Sequence, residues 1–220
     1  MATVNDLMLA IANEIDQSAT APTTGGTDWT IRLNLINRSL KDWAETYDWD
    51  ELKKIFNGVI STSTGNASLA LPGDFRKLDG FPKVGEYDYL NVDPSRNGRY
   101  SSSDKYVNIL GSPMSGPVMF IGTDTLASGT SVQFTYWASP ASLSTISQVA
   151  EIPDSTYLVQ RTLYYLYKGR EDGRFPEAKA ESDKILARMI ENQNTRGLSS
   201  ADRRVSVGGE YFPNFRIGRD

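Results

Sequence analysis

Hydrophobic positions divide the chain into three zones with different periods. In the first, Leu7, Met8, Ile11 and Ile15 recur at three- and four-residue steps, which places them on one helical face. Thr3 or Asn5 stands where an N-cap belongs. Residues 18–27 are rich in Thr, Ala, Pro and Gly, have no period, and read as a connecting loop. Asp28 then offers a cap for a longer helix. Its stripe is Trp29, Leu33, Ile36, Leu40, Trp43 and Tyr47 at alternating steps of four and three, and Trp49 and Leu52 extend the apolar set onward.

The second zone is made of short runs. Residues 59–62, 67–71, 87–90, 106–110, 118–121 and 132–137 each pack Val, Ile, Leu, Phe or Tyr into a few positions. Gly65-Asn66, Pro72-Gly73, Gly111-Ser112-Pro113, Gly116-Pro117 and Ser128-Gly129 separate them. Short apolar runs divided by turn chemistry predict an antiparallel β-domain. Residues 91–104 are polar and strand-poor and read as an exposed loop.

Helical spacing returns in the third zone. Pro153, Asp154 and Ser155 open a helix whose buried side is Leu158, Val159, Leu163, Leu166 and Tyr167. After the turn 169–173, Pro176 opens a second helix with Ala178, Ser182, Ile185, Met189 and Ile190 inside. Two helices across a short turn form an αα-hairpin. The zoning predicts an α+β protein: a helical bundle from N- and C-terminal helices, with an inserted antiparallel β-domain and an extended C-terminal tail. The expected limits are 1–54 for the N-terminal helices, 55–150 for the β-domain, 151–195 for the C-terminal hairpin packed on 1–54, and 196–220 for the tail.

The tail has no period, yet it carries Tyr211, Phe212 and Phe215 within five positions, together with Arg196, Arg203, Arg204, Arg216 and Arg219. A free segment has no need of such aromatics. They predict a tail that is ordered by docking on a partner.

Composition narrows the chemistry. The 220 residues hold no Cys and no His, which excludes disulfides, zinc fingers, thiol catalysis and a Ser-His-Asp triad. There is no P-loop, no dinucleotide-binding glycine motif, no nucleophile elbow and no EF-hand loop, so no cofactor is expected. No run approaches the roughly 20 apolar residues of a membrane helix, and without a basic segment followed by an apolar run a secretory signal is not expected.

Asp48, Asp50 and Glu51 form an acidic cluster that could serve acid–base chemistry, though beside Lys53 and Lys54 they read first as a solvated helix end. Asp88, Asp93 and Asp104 could gather a hard cation, and solvated loop residues are the plainer reading. The formal net charge of −4 argues against a general DNA-binding surface; Arg96, Arg99, Lys105 and the tail are local basic exceptions.

Several landmarks occur in a distinctive order. Asn37-Arg38-Ser39-Leu40 leads through Trp43 to Tyr47-Asp48-Trp49-Asp50-Glu51-Leu52, then to Leu71-Pro72-Gly73-Asp74-Phe75-Arg76-Lys77-Leu78. Tyr136-Trp137-Ala138-Ser139-Pro140, Ile152-Pro153-Asp154-Ser155 and Ala178-Lys179-Ala180-Glu181 follow. Over residues 3–195 this order resembles the head–tail adaptor proteins of short-tailed bacteriophages, also called head-completion or connector proteins.

The resemblance implies a structural virion protein of the head–tail junction, assembled in the host cytoplasm. Such adaptors form a ring, usually twelve-fold, beneath the portal protein. They offer a platform to tail nozzle and fibre proteins and line the channel through which genomic DNA passes without sequence preference. No enzyme activity, metal, cofactor or membrane is implied. By position and character the tail corresponds to the portal-reaching segment, with Arg203, Arg204, Tyr211, Phe212, Phe215, Arg216 and Arg219 as the expected contacts. The competing reading is a carbohydrate-binding or carboxylate-dependent glycan-hydrolysing tail protein, with Asp48 and Glu51 as its acids.

Overall fold

The protein is described from a computed structural model at residues 2–63, 66–93, 104–112, 116–122 and 126–196. The expected α+β class holds: four α-helices and two sheets are present among the described residues. Helix α1 (Val4–Asp16) opens on a capping box. Thr3 Oγ1 accepts from the Asp6 N–H at 3.2 Å, and the Asp6 carboxylate accepts from the Thr3 N–H at 2.9 Å. Such a cap contributes about 1 kcal/mol.

Helix α2 (Thr27–Thr46) is capped by Gly26 rather than Asp28. The Gly26 carbonyl accepts from both the Thr30 N–H and the Thr30 hydroxyl, each at 3.0 Å. Asp28 lies inside the first turn, where its charge suits the positive end of the helix dipole. The hairpin consists of α3 (Thr156–Gly169) and α4 (Phe175–Arg196). Its turn is held by Asp172, which accepts from the Arg174 N–H at 3.0 Å and from Arg174 Nη2 at 2.8 Å.

The helices share one hydrophobic core that includes Ile11, Ile36, Leu40, Trp43, Leu158, Leu163, Ile185 and Met189. α3 packs on α1, α2 and α4. The extended segment after the last strand returns to this core, burying Leu143, Ala150 and Ile152. Asn37 clamps it in place: its amide donates to the Leu143 carbonyl at 2.9 Å and accepts from the Leu143 N–H at 2.8 Å. Val4 N–H donates to the Gln148 carbonyl at 2.9 Å, tying the same segment to α1.

One sheet is antiparallel throughout, in the order β1 (Lys53–Val59), β9 (Ser131–Ala138), β4 (Phe75–Val84), β5 (Tyr87–Asp88). The other runs β2 (Ser61–Ser63), β3 (Asn66–Ala70), β8 (Gly116–Ile121), β7 (Tyr106–Ser112), β6 (Leu90–Asn91). Its β6–β7 pair is parallel, so it is mixed and not antiparallel as expected. β9 alternates cleanly, with Val132, Phe134, Tyr136 and Ala138 buried. Phe134 stacks on Phe56 at 5.0 Å and meets Phe75 edge-on at 6.3 Å. These residues join a second core with Val107, Met119 and Ile121.

Two strands escaped the apolar pattern. β1 opens on Lys53-Lys54, which read as a helix end, and only Phe56 of its side chains turns inward to the core with any bulk. β4 is the longest strand, at 10 residues, yet it carries Arg76, Lys77, Asp79, Gly80, Pro82 and Lys83. A register shift between Asp79 and Lys83 absorbs the glycine and proline, so its buried positions Leu78 and Val84 lose strict alternation.

Trp43 is fully buried at the centre of the helical core. Trp43→Ala is expected to cost about 3–5 kcal/mol in urea unfolding, whereas exposed Lys184→Ala stays within about 0.5 kcal/mol.

Candidate interaction surfaces

The landmark segments, far apart in sequence, meet where the helices join the sheets. The C-terminal end of α2 leaves carbonyls without helical partners, and Arg76 of β4 reaches them. Arg76 Nη1 donates to the Ala44 carbonyl; Nη2 donates to the Tyr47 carbonyl at 3.5 Å and to Asp48 Oδ1 at 3.1 Å. Lys77 Nζ donates to the other Asp48 oxygen at 2.8 Å. Beneath them Trp49 stacks on Trp43 with centroids 5.0 Å apart, and its indole N–H donates to the Trp43 carbonyl at 2.8 Å. Tyr47 meets Trp49 edge-on at 5.3 Å.

A second set of charges closes the sheet ends. Asp74 accepts from Lys54 Nζ at 2.7 Å and from the Tyr136 hydroxyl at 3.0 Å. Burial pushes the Asp74 carboxyl up, but the Lys54 and Tyr136 hydrogen bonds outweigh it and hold the pKa below the ordinary 3.8. Lys53 pairs with Asp79 at 2.5 Å. Lys53 and Lys77 lie over the Trp137 ring, at 5.4 and 5.1 Å from its centroid.

A third cluster bonds α2 to the hairpin. Asp42 accepts from Arg161 Nε at 3.2 Å and from the Tyr165 hydroxyl. Arg38 lies 4.1 Å from the Tyr165 ring centroid, and Ser39 Oγ is 3.2 Å from Thr162 Oγ1. Beside it Tyr157 is almost fully buried, and burial lifts its hydroxyl to about 12. Asp154 accepts from the Thr156 N–H at 3.0 Å and from Arg188 at 2.7 Å, which anchors the hairpin's entry.

Of the acids weighed for catalysis, Asp48 is held by Arg76 and Lys77. It acts as a tie between elements rather than as a carboxylate facing an open cleft. No group of three or more acidic side chains among the described residues could hold a metal ion, and Asp88, Asp93 and Asp104 do not come together as one. Lys105 lies over the Tyr87 ring, 3.0 Å from its centroid, while Arg96 and Arg99 fall outside the described residues. Arg203, Arg204, Tyr211, Phe212, Phe215, Arg216 and Arg219 also lie outside them.

Two adjoining clefts, of about 440 and 420 Å³, run along α3 and share Glu14 and Gln160. Apolar Leu7, Val159 and Leu163 line them together with the acids Asp6, Glu14, Glu177 and Glu181 and the cation Arg174. Sequence reasoning placed these side chains on helices without bringing them together. It also missed the role of Arg76, whose acceptors are backbone atoms on another element.

Among the described residues, ion pairs and stacked aromatic and cationic side chains tie the helices to the sheets and to one another. The family model for the SU10 adaptor protein matches residues 2–208, almost the whole chain. The chain belongs to the SU10 adaptor protein family and is a structural adaptor component of a bacteriophage virion. A comparison with curated proteins gives no match. No helix among the described residues is long and apolar enough to cross a membrane.

Arg76→Ala strands the Ala44 and Tyr47 carbonyls and leaves the Asp48 carboxylate to Lys77 alone. It should destabilise the fold by about 1–3 kcal/mol, read by urea unfolding with Trp fluorescence, and Arg76→Lys should recover only part, since one ammonium cannot span three acceptors. Asp74 has a folded pKa below its unfolded one, so its contribution is present above pH 3.8 and is lost as pH falls through the lower folded value. Asp74→Asn should therefore flatten the acid limb of the stability curve below pH 4; an unchanged acid limb would show that Asp74 carries none of it.

Proposed function

We propose that copies of this chain assemble into a closed ring at the head–tail junction, joining the portal protein to the tail and surrounding the path of the genomic DNA. The family match over residues 2–208 carries this reading. In it, the helices form a bundle that builds the ring wall, the β-domain hangs toward the tail nozzle and fibres, and residues 196–220 reach the portal. The ring is twelve-fold, the usual order for such adaptors. The chain works by binding and not by catalysis.

Two features of the chain itself support the reading. The charged side chains of the junction are spent on internal ties, and Asp48, the best candidate acid, is one of them. The tail concentrates Arg and aromatic side chains, the residue types that most often anchor interfaces. The family match stops at residue 208, so Arg203 and Arg204 lie within it and Tyr211, Phe212, Phe215, Arg216 and Arg219 lie beyond. Their assignment as portal contacts rests on their chemistry and their place in the chain. The formal net charge of −4 suits a channel wall past which DNA slides without being held.

Co-sedimentation with purified portal tests the proposal. Full-length protein should bind, and simultaneous Tyr211→Ala, Phe212→Ala and Phe215→Ala should weaken binding at least about thirtyfold, the loss of even one anchor worth about 2 kcal/mol. Equal binding by the triple variant would remove the tail from the portal contact. No binding by the full-length chain would remove the portal as partner.

A further inference from the structure

Among the described residues, the large hydrophobic side chains left most in water are Ile55 (67%), Phe81 (63%), Val59 (61%), Tyr87 (56%) and Leu90 (51%). None belongs to a helix. Ile55 and Val59 stand on β1, one edge of the four-stranded sheet. Tyr87 stands on β5, the opposite edge. Phe81 lies in the register shift of β4, the strand beside β5, whereas Leu90 stands on β6, an edge of the five-stranded sheet. Four of these five side chains are thus divided between opposite sides of the four-stranded sheet.

The main chain of β1 is open on the same side. Ile60 directs both its polar groups to the β9 side: its N–H donates to the Thr130 carbonyl at 2.9 Å, and its carbonyl accepts from the Gly129 N–H at 3.0 Å. The β1–β9 register is unbroken from Lys53↔Trp137 to Val59↔Ser131. Alternation then turns the main-chain groups of Lys54, Phe56 and Gly58 to β9, and those of Ile55 and Asn57 away from it. Among the described residues no strand pairs with that outer side. An edge strand of seven residues with two exposed β-branched side chains is a ready template for pairing.

We propose that the open edge of β1 in one copy docks on the β4–β5 edge of the next, with Ile55 and Val59 against Phe81 and Tyr87. The occupant is a second copy of this chain because both edges are present on every copy. A foreign partner on one edge would leave the other in water, whereas head-to-tail contact covers both at once and repeats around a closed ring. The two patches differ in sequence, as a heterologous contact requires and an isologous one does not. The inference rests on the ring reading and names the surface through which the ring closes in its β-domain.

The chain has no cysteine, so single introduced thiols report contacts without background. Full-length Asn57→Cys and Asp88→Cys proteins are mixed at high concentration, with and without portal, and oxidised. The mixed disulfide should exceed either homodimer, and a control pair using Lys184→Cys on α4, by about tenfold, because a disulfide forms only when Cα atoms approach within about 7 Å.

Adding Ile55→Glu to the Asn57→Cys chain should abolish the mixed disulfide while leaving the melting temperature within a few degrees, since that side chain is mostly in water. Cross-linking no better than the Lys184 control in either condition overturns the interface. So does a mixed disulfide that survives Ile55→Glu. Electron micrographs of the same samples read the ring separately. Closed rings without the cross-link discard this interface and keep the ring; the cross-link without closed rings keeps the interface and discards the ring.

Discussion

The arrangement of helices relative to sheets depends on one guanidinium. Arg76 stands on β4 and finds its acceptors at the end of α2: the Ala44 and Tyr47 carbonyls and the Asp48 carboxylate. A helix ending against another element must find donors for its last carbonyls. Water could supply them, but water would not orient a sheet. Arg76 supplies them from a rigid strand, and its planar fork makes the angle between helix and strand specific. Trp43 and Trp49 stack under this contact, so it is backed by apolar burial and not by charge alone.

From that junction the rest follows in order. β9 lies between β1 and β4, and its Tyr136 completes the Asp74–Lys54 contact. Beyond β9 the chain returns to the helices, where Asn37 holds Leu143. The hairpin α3–α4 closes the helical core through Asp42, Arg161 and Tyr165. Most titratable groups in these clusters have a partner of opposite charge. Side chains committed in this way hold surfaces in fixed places, which is what an adaptor between larger assemblies requires.

Much of this was legible in the sequence, and the exceptions have physical causes. The helices were visible because each carries a wide apolar stripe with the 3.6-residue period. Thr3 announced its cap, while Asp28 misled because a carboxylate is as welcome in the first turn as at the cap. β9 was visible by strict alternation. β4 was hidden by a register shift around Gly80 and Pro82, and β1 by an edge position that buries few of its side chains. The landmark motifs marked the right residues without their roles. Arg76 and Asn37 act on backbone atoms distant in sequence, and no local pattern encodes such a partner. The acidic cluster 48–51 looked like chemistry or solvated charge and is in part a structural tie, since Asp48 is gripped from the sheet.

In the role proposed above, this family member works as a repeated contact between neighbours in the virion. A cryo-electron reconstruction of the intact head–tail junction tests it most directly. The expected density is a closed ring of this chain against the portal, with its C-terminal segment on the portal side and its sheets toward the tail. Density for this chain elsewhere in the particle, or as isolated copies that do not touch one another, would contradict it.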